Sequence, residues 1–127
     1  MNILERIYDT GLKYLSRIRA RLRQAQGADL KIKVADLVLN QKIFELKRGR
    51  KLIQLTPKEF MLIHHLMSNK NKILTREMIL KRVWHYSPDV KTRIVDVYMA
   101  YLKKKIDEEF DKKLIHSVRG FGYMIKE

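Results

Sequence analysis

Residues 91–106, KTRIVDVYMAYLKKKI, give the clearest structural signal in this 127-residue chain. At about 100° per residue, a helix gathers the residues of this stretch onto two faces of different chemistry. One face is apolar and consists of Val95, Met99, Leu102 and Ile106. The other face is mixed and consists of Arg93, Val97, Ala100, Tyr101 and Lys104. The sequence therefore predicts a helix of about residues 91–108 with one buried and one exposed face.

The mixed face has the chemistry of a surface that lies against a nucleic-acid groove. Arg93 and Lys104 can meet phosphates or guanine edges, and Val97 can meet a thymine methyl group. Ala100 permits close approach, and Tyr101 can donate a hydrogen bond or pack on a sugar. A solvated basic helix with one accidental apolar position explains the same pattern, so this helix alone leaves both interpretations open.

The chain ends in the pattern of a β-hairpin of about residues 114–126, whose turn is RGFG at 119–122. The two glycines keep bulk away from Arg119, so a wing of this kind can lay the guanidinium along or into a minor groove. An ordinary hairpin with a solvated arginine is the alternative. Phe121 and Tyr123 are predicted to pack the hairpin back onto the domain.

Two shorter helices are predicted from their N-terminal caps. Thr56 with Glu59 forms a capping box, and Pro57 suits the first helical position. Thr75 begins the next helix in the same way, and Trp84 ends it. Upstream lie four β-prone segments that predict a small antiparallel sheet, at residues 31–34, 37–39, 43–46 and 51–55. The predicted fold class is α+β, with a four-stranded antiparallel sheet, three helices and a C-terminal hairpin.

Residues 1–26 are predicted to be an amphipathic basic helix with a linker, separate from a main domain of residues 27–127. Apolar side chains recur at steps of three and four along the helix, at Leu4, Tyr8, Leu15, Ile18 and Leu22, with Gly11 at the one position of the stripe that lacks an apolar side chain. The run QAQGA at 24–28 indicates a short hinge. Packing of this helix on its own domain and dimerisation through the stripe are both open.

The charge balance favours a polyanionic partner, because 28 Lys and Arg stand against 14 Asp and Glu, a formal net charge of +14. Nucleic acid is the leading candidate and an anionic membrane surface is second. The chain has no cysteine, which excludes disulfides and thiolate metal sites. No apolar run is long enough to predict a membrane span.

No catalytic or metal-binding constellation is predicted, so we expect neither an enzyme nor a cofactor. His64 and His65 are adjacent on a helix and point about 100° apart, while His85 and His116 lie in other elements. One histidine is expected to be partly buried and the others solvated. Asp96 is expected to pair with a neighbouring cation. The acidic residues after the long helix are expected to form a solvated loop, at Asp107, Glu108, Glu109 and Asp111.

Six strings, taken in order, resemble the successive signatures of OmpR/PhoB-type winged-helix DNA-binding domains. They are LTPKEF at 55–60, TRE at 75–77, VW at 83–84, RIVDV at 93–97, LKKK at 102–105 and VRGFGY at 118–123. The resemblance runs from about residue 28 to residue 126. It implies the effector half of a two-component response regulator, with the third helix in the major groove of double-stranded DNA and the hairpin as a wing.

The resemblance also implies roles for individual residues. Trp84 and Arg93 would contact phosphates, and Val97 and Tyr101 would face bases. The groove would be flanked by Tyr98 and Lys103, with Ala100 and Lys104 on the same helix, and the wing would use Ser117 and Arg119. The loop 85–91 would touch RNA polymerase, and homodimers would occupy tandem half-sites. The expected setting is the bacterial cytoplasm, with an organelle such as a plastid as the alternative.

The departures from the family pattern limit what can be carried over. Family members commonly have basic or polar residues where Ala100 and Tyr101 stand, and often a histidine at Tyr98, so the base preference does not transfer. Residues 17–23 resemble the last helix of a receiver domain, but we expect no phosphoacceptor site in this sequence. Two other hypotheses stay open, namely a membrane or polymerase adaptor acting through residues 1–26 and a nonspecific nucleic-acid packaging protein.

Overall fold

The structure is a computed structural model that describes residues 30–85 and 91–127. The predicted N-terminal helix and hinge lie outside the described residues, as does most of the loop predicted to touch RNA polymerase. Within the described ranges, no helix has the length and apolar character needed to cross a bilayer.

The first four strands form an antiparallel sheet in chain order, as predicted. They are β1 (Lys31–Val34), β2 (Leu37–Asn40), β3 (Glu45–Arg48) and β4 (Lys51–Ile53). The third strand lies two residues later than predicted, because Phe44 adopts a φ of 52° in the turn before it. Leu46 therefore faces the core, while Ile43 is 57% exposed.

Three helices follow, and the first two begin at the predicted caps. They are α1 (Pro57–Ser68), α2 (Arg76–Trp84) and α3 (Arg93–Asp107). The Thr56 hydroxyl accepts from Glu59 N, and the Glu59 carboxylate accepts from Thr56 N, which completes the capping box. The Thr75 hydroxyl accepts from Met78 N at 3.1 Å. On α3, the residues predicted to face the core are completely buried, namely Val95, Met99, Leu102 and Ile106.

The C-terminal hairpin belongs to a three-stranded sheet in the order β5-β7-β6. Its strands are β5 (Leu74–Thr75), β6 (Ile115–Val118) and β7 (Gly122–Ile125). The hairpin was predicted, but β5 was not, because two residues are too short to display an alternating pattern. Pairing of β5 with β7 joins the hairpin to the start of α2, since Thr75 is also the N-cap of that helix.

A buried ion pair joins the first sheet to the end of α3. Arg48 is 2% exposed, and its Nη1 donates to Asp107 Oδ1 at 2.7 Å and to the Ile106 carbonyl at 2.9 Å. The Asp107 carboxylate also accepts from the backbone N–H groups of Leu114 and Ile115, at 3.1 and 3.0 Å. The expectation that Asp107 belongs to a solvated loop was therefore wrong, since this carboxylate is buried and accepts from three donors.

The histidine prediction was also wrong. His64 is buried against Gln41, at 3.2 Å between Nε2 and Oε1. His65 and His116 are partly buried, and each has an Nε2 atom without a hydrogen-bond partner. Burial, with a smaller contribution from the charge of Arg82, lowers the pKa of His65 to about 4. Within the described ranges, no cluster of side chains has the composition of a metal site.

Replacing Arg48 by alanine should lower the free energy of unfolding by about 3–5 kcal/mol, because the buried Asp107 carboxylate loses its cation. Denaturant unfolding measures the change. Lys47→Ala is the matched control, because Lys47 precedes Arg48 on β3 and forms only an exposed pair with Glu45. The control should change stability by no more than about 0.5 kcal/mol. Equal losses for the two variants would contradict the central role of the buried pair.

Stability should also fall with acid through His65. Its pKa is about 4 in the folded protein and about 6.5 in an unfolded chain, so the unfolded state binds more protons between these values. The free energy of unfolding therefore decreases as pH falls from about 6.5 to 4, by at most about 1.4 kcal/mol per unit and less because solvent screens a partly buried group.

His65→Phe removes the titration and keeps a ring of similar size. Unfolding measured at several pH values should give a shallower decline for this variant than for the unsubstituted protein. Parallel curves between about pH 6.5 and 5 would exclude His65 as the source of the acid sensitivity.

Candidate nucleic-acid interface

The exposed face of α3 is a continuous stripe along the helix. Arg93, Val97, Ala100, Tyr101 and Lys104 are all exposed. Val97 is 40% and Tyr101 is 54% exposed, although both are large apolar or aromatic side chains on a well-packed helix. The structure thus brings together the residues that the sequence predicted for a groove-facing surface, and Arg93 stands at the first position of the helix.

An aromatic chain runs from the core to this stripe. The Trp84 ring meets the Tyr98 ring edge-to-face at 5.3 Å, and Tyr98 meets Tyr101 in the same way at 6.0 Å. Trp84 is 6% exposed, so little of its surface is available to a ligand. Burial, followed by the charge of Glu59, raises the pKa of Tyr98, which keeps its hydroxyl protonated and able to donate. Tyr98 is therefore half-buried, and its ring packs against the exposed ring of Tyr101.

Lys58 contacts the Trp84 end of this aromatic chain, and sequence reasoning did not select it. Its side chain is buried, and Nζ donates to the Val83 carbonyl at 3.0 Å and lies 5.5 Å from the centre of the Trp84 ring. Burial lowers the pKa of Lys58 to about 8. The ammonium group satisfies a carbonyl near the C-terminal end of α2, where a cation also complements the helix dipole.

Asp96 ties α3 to both α2 and the hairpin, which extends the prediction that it pairs with a cation. Its Oδ1 accepts from Arg76 Nε at 2.8 Å and from the Tyr123 hydroxyl. Partial burial opposes ionisation, but the hydrogen bonds from Tyr123 and Arg76 prevail and lower the pKa of Asp96. Burial and the Asp96 carboxylate raise the pKa of Tyr123 to about 12, so Tyr123 remains a donor. One carboxylate thus fixes the angle between the helix and the hairpin.

The three consecutive lysines of α3 have different environments. Lys104 is exposed, and Lys103 is half-buried with Nζ 6.0 Å from the centre of the Tyr123 ring. Lys105 points to the other side, where Nζ donates to Glu59 Oε1 at 2.8 Å and to the Gln54 carbonyl at 2.9 Å. Lys104 therefore stays open to solvent, whereas Lys105 holds α3 against the start of α1.

The hairpin turn presents Ser117 and Arg119 to solvent. Gly120 adopts a φ of 83°, and a Cβ at Gly122 would lie 2.0 Å from the Leu74 carbonyl oxygen, so neither position suits a larger residue. Tyr123 packs into the core as predicted, but the same prediction for Phe121 was wrong because this ring is 65% exposed. The close approach of Gly122 to β5 turns the preceding residue outward.

Comparison with known proteins identifies the family. A family model described as "Transcriptional regulatory protein, C terminal" matches residues 49–125. The uncharacterized transcriptional regulatory protein YkoG of Bacillus subtilis is 42% identical over 116 residues, which is 88% of this chain and 51% of that protein. The response regulator ArlR of Staphylococcus aureus is 39% identical over 112 residues, with 88% and 51% covered. The chain thus spans about half the length of the curated relatives it matches.

Solved structures have the same fold. The response regulator DrrB of Thermotoga maritima, an OmpR/PhoB homologue, superimposes with a TM-score of 0.69 at 28% identity, covering 90% of this chain and 51% of that chain. The DNA-binding domain of Klebsiella pneumoniae RstA, solved in complex with the RstA box, gives a TM-score of 0.67 at 23% identity, with 76% and 96% covered. The chain belongs to the OmpR/PhoB-type family of winged-helix DNA-binding effector domains of transcriptional regulatory proteins.

Proposed function

We propose that this domain binds double-stranded DNA in a sequence-specific manner, with α3 in the major groove and the β6–β7 hairpin in the minor groove. The observation that carries the proposal is the two-faced α3, whose core face is fully buried and whose outer stripe has no acidic residue. An exposed stripe of this composition matches the mixture of phosphates, base edges and methyl groups in a major groove.

Individual roles follow from exposure and position. Arg93 and Lys104 bind phosphates near the two ends of the stripe, while Val97 and Tyr101 contact bases between them. Ala100 has no side chain beyond its Cβ, so α3 can approach the groove floor closely. In this proposal, the base contacts that read sequence lie at the centre of α3, and the phosphate contacts lie near its two ends.

The remaining predicted residues act beside the helix. Tyr98 and Lys103 flank the groove, and Tyr98 also holds Tyr101 in place through their ring contact. Trp84 reaches a phosphate only through the small exposed part of its side chain and otherwise supports Tyr98. Ser117 and Arg119 serve the wing, with the guanidinium in the minor groove.

The wider context is part of the same proposal. Residues 1–26 would form a segment separate from the domain of residues 27–127, and the domain would be the output part of a two-component regulator. It would contact RNA polymerase through the loop 85–91 and bind tandem half-sites as a homodimer. The role is binding and includes no catalytic step. The relatives named above are bacterial, which supports a bacterial cytoplasmic setting.

Selection of bound duplexes from a random pool tests the proposal directly. A specific regulator should enrich one motif over successive rounds, whereas a packaging protein should retain duplexes without a shared sequence. Failure to retain any duplex at low salt would contradict DNA binding altogether. Repeating the selection with residues 1–26 deleted separates the domain's contribution from that of the basic N-terminal segment.

Substitutions on α3 should then separate specificity from affinity. With the enriched duplex and a scrambled duplex of equal length, Val97→Ala and Tyr101→Ala should each reduce discrimination by about 1–3 kcal/mol per lost base contact. Arg93→Ala should weaken binding to both duplexes and reduce the slope of log K against log salt by about 0.9, because one phosphate contact is lost. Fluorescence anisotropy titrations at several salt concentrations measure both quantities.

Lys33→Ala is the matched control for charge, because Lys33 is an exposed cation on β1 of the other sheet. It should leave the salt slope and the discrimination unchanged. If Val97→Ala and Tyr101→Ala weakened binding to both duplexes equally, α3 would not read sequence.

A further inference from the structure

Phe121 is the most exposed of the large hydrophobic residues in the described part of the chain, at 65%. Such a ring at the tip of a hairpin loses the stabilisation that burial gives elsewhere in the fold. Its backbone is nevertheless fixed, because Phe121 N donates to the Val118 carbonyl at 2.9 Å and Gly122 is pressed against Leu74 of β5. The ring is therefore held outward by the geometry of the turn.

The hairpin that carries Phe121 is cationic. Residues 112–126 contain no Asp or Glu, and Arg119 is the exposed cation of the turn, whereas Lys112, Lys113 and Lys126 lie at the other end of the hairpin. Arg119 lies two residues before Phe121 and makes no ion pair with any described residue. An apolar ring near an unpaired cation fits a partner that is anionic yet has apolar walls. The minor groove of DNA has this combination, since its walls are deoxyribose rings between phosphates.

We propose that Phe121 is a DNA-contacting residue of the wing, whose ring packs against deoxyribose in the minor groove beside the Arg119 guanidinium. This inference rests on the proposed function and adds a contact that charge alone would not predict. Phe121 has no donor or acceptor, so it reads no base edge. Its contribution comes from apolar surface removed from water and depends on how closely the groove walls fit the ring.

Substitutions of Phe121 and Arg119 should differ in their effect on the salt dependence of binding. On the duplex enriched by selection, Phe121→Ala should weaken binding about tenfold, or roughly 1.4 kcal/mol, with no change in the salt slope because no charge is removed. Arg119→Ala should reduce the slope by about 0.9. Ile43→Ala is the matched control, because Ile43 is also an exposed apolar residue, at 57%, and lies in the turn before β3. It should leave both affinity and slope unchanged.

Hydroxyl-radical footprinting gives a second measurement. Its result would not change if Phe121 only stabilised the fold of the hairpin. The radicals cleave at deoxyribose, so the protein should protect the sugars under the wing, and Phe121→Ala should lose that protection while keeping the protection near α3. Denaturant unfolding of each variant confirms that the fold is intact. Phe121→Trp offers a variant that retains a large ring and should restore affinity and protection.

The outcomes distinguish failure of the proposed DNA binding from failure of the proposed role of Phe121. If the unsubstituted protein retains no duplex, the proposed function fails and this inference fails with it. If that protein binds but Phe121→Ala binds equally well and leaves the same footprint, only this inference is overturned. A loss of affinity confined to duplexes with two half-sites, with single-site affinity unchanged, would assign the ring to a contact between copies and would also overturn it.

Discussion

The buried contact between Arg48 and Asp107 is the constraint on which the other features depend. Removing two charges from water is costly, and the cost is recovered only when the geometry is good and the remaining donors and acceptors are satisfied. Here Arg48 also donates to the Ile106 and Lys112 carbonyls, while Asp107 also accepts from the backbone of β6. These partners come from the first sheet, from α3 and from the segment leading into the hairpin. A shift of any one of them would leave a buried donor or acceptor without its partner, so the pair favours a single arrangement.

This arrangement explains why the DNA-facing surface can be preformed. Asp107 anchors the C-terminal end of α3, and Asp96 anchors its N-terminal half to α2 and β7 through Arg76 and Tyr123. Lys105 adds a third tie, to Glu59 at the start of α1. The helix proposed to lie in one groove and the hairpin proposed to lie in the next are thereby held at a fixed angle. A preorganised surface loses less conformational freedom on binding than one that must be ordered by its ligand.

Local patterns in the sequence predicted the helices and the faces of α3, because caps and periodicity depend on residues three or four positions apart. The features that were missed depend on partners distant in sequence. Arg48 lies in a run that resembles a solvated turn, and only the fold brings Asp107 to it. The strand β5 exists because β7 pairs with it, and its two residues have no pattern of their own. Phe121 was predicted to be buried from residue type alone, but the close contact between Gly122 and Leu74 turns it outward. The individual DNA contacts stay predictions, because which side chain meets which base depends on the geometry of the protein–DNA complex.

Net charge alone does not say which cations of this domain are engaged in folding, but its ion pairs do. Within the described ranges, the carboxylates that pair with cations of the domain itself are Asp36, Glu45, Glu59, Asp96, Asp107 and Glu109. Their cations are consequently used in folding. By contrast, Arg93, Lys104 and Arg119 pair with no described acid, and they lie on the stripe of α3 and on the wing. Since an unpaired cation attracts phosphate without first losing a partner, these three cations are available beside the exposed apolar side chains of Val97, Tyr101 and Phe121. In the proposed complex, charge brings the domain to the duplex and these apolar side chains determine how closely it fits.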